Sequence, residues 1–124
     1  MIKATSERPS YQSSFTNGQD VSIADTTSDK GGSGAGFRPH ELLEAALACS
    51  INMTLRKFAE KHSIPLTSVS TTVKLDQNYP EEAIFNYALE LTGTLSESDH
   101  KLLTEAARSC TVLQTLSKKL SFQY

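Results

Sequence analysis

The segment from Arg38 to Ala59, RPHELLEAALACSINMTLRKFA, constrains the fold more than any other stretch of the chain. Leu42, Ala46, Cys49 and Met53 recur at helical spacing, and Leu43, Leu47, Ser50 and Thr54 form a neighbouring stripe, so the apolar surface is wide for one helix. Pro39 suits a first helical position, Glu41 adds negative charge in the first turn, and Lys61 and His62 place positive charge at the far end, before Pro65. These signals predict a helix over residues 39 to 62, about 36 Å long at 1.5 Å per residue. A helix so apolar is expected to be buried on most sides, its alanines admitting a close neighbour.

With 124 residues the chain is long enough for one hydrophobic core, so residues 1 to 124 are read as a single domain. Twelve basic and 14 acidic residues give a net charge of -2, which supplies no field for nucleic acid or an anionic membrane surface. The first 30 residues contain no apolar run behind a basic head, so neither a signal peptide nor a membrane anchor is visible and the expected location is the cytoplasm. In that compartment the two cysteines, Cys49 and Cys110, are expected to be reduced. They belong to no CxxC or HxxxH spacing, so no metal site is expected.

Along the chain, Tyr11 to Phe15 and Val21 to Ala24 have strand character around Asn17-Gly18, a pair suited to a two-residue hairpin turn. Asp25 to Gly36 is a glycine-rich loop that lacks the GKS or GKT ending of a phosphate loop. Beyond Pro65, Val69, Thr71, Val73 and Leu75 alternate with polar residues, as do Phe85, Tyr87, Leu89 and Leu91. Two strands of an antiparallel hairpin follow, turning at Asn78 to Glu81, with one face against the long helix. Ser96 and Asp99 have the spacing of a helix-starting box, and a helix to about Arg108 is expected. Cys110 then precedes a short helix, where amides and dipole would favour a thiolate, and Leu120 to Tyr124 reads as a closing strand.

Four blocks in this order, YQSSFTNGQDVSIAD, GGSGAGFRPHELLEAALA, MTLRKFAEKHSIPLTSV and AARSCTVLQTL, resemble the OsmC/Ohr family of thiol-dependent hydroperoxide reductases. The resemblance implies an α+β fold, with antiparallel sheets packed on a long central helix, in an intertwined homodimer whose active sites draw on both chains. It also implies a reaction. One thiolate attacks the peroxide O–O bond to give a sulfenic acid, a second cysteine condenses with it to a disulfide, and an external dithiol resets the pair, with no bound cofactor.

Cys110 matches the second cysteine of that pattern, although Thr111 follows it where the family usually has proline. Aligned without gaps, the first cysteine of the family falls at Ser50, and Cys49 comes one residue early. One residue rotates a helical side chain by about 100°, so the two point into different grooves. A serine alcohol cannot run the sulfenic acid and disulfide cycle. The carboxylate that follows the proline in the family corresponds to His40, with Glu41 beside it. His40 could carry a proton near neutral pH, though a histidine in a first helical turn is more often simply exposed. Arg38 and Arg8 are candidate cations for the thiolate, and Arg56 matches an arginine of one OsmC-like branch, its plainer role being a pair with Glu60. Phe58, with Tyr11 and Phe15, could line a pocket for an apolar tail; core packing is the plainer role.

Three functions follow as expectations. In the first, the protein is a peroxidase acting on organic hydroperoxides or hydrogen peroxide in oxidative-stress defence, with Cys49 as displaced nucleophile and Cys110 as resolving residue. In the second, peroxidase chemistry has been lost through Ser50 and His40, and the dimer binds a small apolar ligand. Chemistry at Cys110 alone, through a mixed disulfide, is a third.

Overall fold

A computed structural model describes all 124 residues and divides them into two compact units, Met1–Leu43 and Glu44–Tyr124. The first unit is built on a three-stranded antiparallel sheet of β1 (Lys3–Ser6), β2 (Ser13–Thr16) and β3 (Val21–Ala24), in that order. β1 went unread in the sequence, and Tyr11 lies outside β2, in the left-handed region at φ 70°. The turn at Asn17-Gly18 is wider than the two residues expected, because Thr16 pairs with Val21. Asn17 sets that width: its side-chain oxygen accepts from the amides of Gln19 and Asp20 at 2.9 and 2.8 Å, an Asx-type turn that carries the chain around.

Asp25 organises the glycine-rich loop that follows. Its carboxylate accepts from the amides of Thr26, Ser33 and Ala35 and from the Ser33 hydroxyl at 2.7 to 3.1 Å. A side chain at Gly32 would run into the Thr26 carbonyl and the Asp25 carboxylate, and one at Gly36 into the Ile23 carbonyl, so both closures need glycine. Asp25 also donates its amide to the Phe37 carbonyl at 3.0 Å, fixing the entry to the long helix.

That helix, α1 (Pro39–Lys61), ends one residue earlier than expected, with Ser63 in the left-handed conformation and the Ile64 amide donating to Ala59. In the second unit, Leu47, Ile51, Leu55 and Ala59, four residues apart, form its buried face. They pack with Leu103, Ala106 and Ala107 and with the half-buried side of a long hairpin, β4 (Leu66–Tyr79) and β5 (Glu82–Gly93). The expectation that α1 is buried on most sides is corrected: Ala46, Cys49 and Met53 are exposed, Met53 at 62%. A single buried stripe suffices because one hairpin and one helix layer cover only one side of it.

The hairpin turns at Pro80-Glu81, with Tyr79 opposite Glu82, so the strands reach further than the expected turn allowed. Ser96 caps α2 (Glu97–Ala106) through the expected box with Asp99. The α-helix stops at Ala106 and tightens into a 3-10 turn over Ala107–Ser109, short of the expected Arg108. α3 (Thr111–Leu116) follows Cys110. Leu120 to Tyr124 is not the closing strand expected; the segment has no neighbouring strand in the chain to supply a ladder, and it is exposed. No helix is long and apolar enough to cross a membrane.

Candidate functional site

The second unit brings Ser50 and Cys110 together. Ser50 sits half-buried on α1 beside the buried Ile51, and Cys110 lies between the 3-10 turn and α3 with 0% of its surface exposed. Cys110 is held through its backbone: its amide donates to Ala107 at 3.2 Å, and its carbonyl accepts from Gln114 in the first turn of α3 at 3.0 Å. Its thiol donates to the Ser50 hydroxyl oxygen at 3.0 Å, inside the reach of a sulfur hydrogen bond. Cys49 is a free thiol on the exposed side of α1, and Cys110 is a free thiol in the core. The groove that faces Cys110 is thus the serine's.

The start of α1 belongs to the first unit. The Glu41 carboxylate reaches back to accept from the Arg38 amide at 2.9 Å and from the Arg38 guanidinium at 2.7 and 2.8 Å. These contacts, the backbone amide first, hold the Glu41 carboxyl below its usual range. Glu41 and Arg38 therefore secure each other and the first turn of the helix, satisfying one of its otherwise unpaired amides. His40 and Arg8 are exposed. No group of three or more His, Cys, Asp or Glu side chains is gathered to hold a metal ion.

The three aromatic residues separate. Tyr11 and Phe15 line a groove of about 650 Å3 in the first unit, with Ile2, Pro39 and Leu42. Phe58 instead packs against the core of the second unit, its ring centroid 4.2 Å from that of His62. Arg56 does not take the Glu60 pairing expected of it; it donates to the Leu66 carbonyl at 2.7 Å, which pins the end of α1 to the start of β4.

Asp25 was passed over in the sequence although its place invited attention, at the end of a strand and before a glycine run. With 2% exposure it is the buried charged side chain of the chain. Hydrogen bonds to the Ala35 amide and the Ser33 hydroxyl, more than the burial that opposes them, lower its carboxyl from 3.8 to about 2. Its neighbour Asp29 is also lowered, chiefly by a hydrogen bond with the Thr27 side chain.

Comparison with known proteins agrees with this architecture. An OsmC-like protein from Mycoplasma pneumoniae superposes with a TM-score of 0.79 at 18% identity, over 94% of this chain and 85% of that one. An organic hydroperoxide resistance protein OsmC from Legionella pneumophila does so with a TM-score of 0.66 at 24% identity, over 94% and 88%. One from Elizabethkingia anophelis gives 0.68 at 17% identity, over 95% and 87%. At these identities the likeness shows the fold. No curated protein sequence matches the chain. The family model for OsmC-like proteins matches residues 31–124, the span that holds the end of the glycine loop, α1, the hairpin and the Ser50–Cys110 pair, and the chain belongs to that family.

Proposed function

We propose that this protein is an OsmC-like homodimer in which the dithiol of the family's hydroperoxide reductases is replaced by a thiol–hydroxyl pair, and that it binds a small, largely apolar molecule without reducing peroxides through a two-cysteine cycle. The observation that carries this reading is the 3.0 Å contact between the Cys110 sulfur and the Ser50 hydroxyl. A sulfenic acid at the first position needs sulfur there, and oxygen cannot replace it. A resolving thiol that is fully buried and already bonded to Ser50 is poorly placed to reach a sulfenic acid on the exposed Cys49.

The homodimer is supported by surface area. The chain leaves 9411 Å2 accessible, whereas a folded monomer of 13.5 kDa leaves about 6,500 Å2. The excess, about 2,900 Å2 per chain, is on the scale of an obligate dimer interface.

Thiol-dependent consumption of cumene hydroperoxide and of hydrogen peroxide tests the reading. The parent and its Cys49→Ser and Cys110→Ser variants are expected to show no turnover above the thiol background. Ser50→Cys is expected to gain turnover and, on oxidation, to lose two protons in the intact mass as a disulfide to Cys110 forms. A parent that turns over and loses the activity with Cys49→Ser would overturn the proposal and restore the displaced-nucleophile peroxidase.

A further inference from the structure

A second cavity, of about 340 Å3, opens in the Glu44–Tyr124 unit between α1, β5 and α3. Its apolar wall is formed by Leu47, Phe85, Leu113 and Leu116. Leu47 lies three residues before Ser50 on the same side of α1, and Leu113 lies in α3, three residues after Cys110. Taking roughly 30 Å3 per heavy atom, the cavity has room for on the order of ten, and its size falls in the range of small-ligand sites.

The charge at this cavity favours one sign of ligand. Glu82 is the one charged side chain on the wall, and no lysine, arginine or histidine lines it. Tyr87 also lines the cavity, and its hydroxyl, which can donate or accept, has no partner within the chain. The Ser117 hydroxyl gives its proton to the Leu113 carbonyl at 2.8 Å, which leaves its lone pairs to accept. A carboxylate entering here would meet Glu82 with no cation on the wall to offset it, whereas an ammonium group would be offered a carboxylate.

We infer that this cavity binds a small primary amine with an aryl or alkyl body, the ammonium group on Glu82 and the body against Leu47, Phe85, Leu113 and Leu116. The inference rests on the binding role proposed above and gives that role a ligand class. Charge complementarity of this kind discriminates between ligands of like shape and opposite sign.

The test is a pair of titrations of the 15N-labelled full chain at pH 7, followed by amide chemical shifts, with 2-phenylethylamine and with 3-phenylpropanoate, which differ mainly in the charge of the head. The amine is expected to shift the amides of Leu47, Ala83 to Phe85 and Leu113 to Ser117 saturably, and about tenfold more tightly than the carboxylate. Glu82→Gln is expected to bring the two affinities within about threefold of each other, and Leu116→Trp, which fills the cavity, to abolish both responses. Equal affinities in the parent, saturation confined to residues 1 to 43, or no saturable shift below about 20 mM amine would each overturn the inference. Peroxide turnover by the parent would instead overturn the redox-silent reading while leaving the titration result in place, so the two failures are distinct.

Discussion

One atom at residue 50, oxygen in place of sulfur, carries the functional proposal, and one carboxylate at residue 25 orders the glycine-rich loop of the first unit. Asp25 illustrates how a residue without a catalytic motif can govern a loop: four donors from Thr26, Ser33 and Ala35 converge on it. Because its carboxyl is lowered in the folded chain, the linked stability is present above 3.8 and is lost as pH falls from there through about 2. Calorimetric unfolding of the parent between pH 5 and pH 2 should therefore fall more steeply than that of Asp25→Asn, which lacks the titrating group even though it is less stable at pH 5. Parallel pH profiles for the two would show that the carboxylate is not the origin. Sequence reading placed Cys49 and Ser50 in different grooves from helix geometry alone. Which groove faces Cys110 could not be read, since it depends on how α1 rolls against β4, β5 and α3. Asp25 escaped notice because its role comes from the backbone closing around it.

At the scale of elements, patterns that depend on near neighbours in sequence were legible, and those that depend on long-range burial were not. The start of α1 at Pro39, the Ser96–Asp99 box and the alternation in β4 and β5 were read from local chemistry. The buried face of α1 was misjudged, because Leu42, Ala46, Cys49 and Met53 are as apolar as Leu47, Ile51, Leu55 and Ala59, and periodicity does not say which stripe meets the hairpin. The structure assigns the weight to the second set. Leu55→Ala should accordingly lower the unfolding free energy by about 3 kcal/mol, whereas Lys57→Ala, exposed two residues on, should change it by less than about 0.5 kcal/mol. Urea denaturation of both variants checks this, and comparable losses would mean that the stripe at Leu47, Ile51, Leu55 and Ala59 does not dominate the packing of the helix.

At the scale of the molecule, the chain carries features that one copy does not satisfy. Leu120 and Phe122 are 53% and 92% exposed and Tyr124 is fully so, an alternation of apolar residues with the period of a strand but without a strand beside it. The outer edge of β1 and both outer edges of the β4-β5 hairpin have no neighbouring strand, an arrangement that invites another chain. A terminal segment with one apolar side, added to such an edge, gains main-chain hydrogen bonds and buries its side chains in one step. The homodimer proposed above would supply that edge from the second copy, and the segment would hold the pair together. Light scattering at micromolar concentration is then expected to give about 27 kDa, twice the 13.5 kDa of one chain. Removing residues 119 to 124 should shift that mass toward one chain on dilution, and Phe122→Asp should do the same without shortening the backbone. A parent that runs at 13.5 kDa would remove the dimer from the proposal. A stable dimer unchanged by either variant would instead place the contact on the exposed side of α1, around Ala46, Cys49 and Met53. In that case Met53→Asp, and not the tail variants, should dissociate it, because a charge buried without a partner at a helix contact costs far more than a missing methyl group.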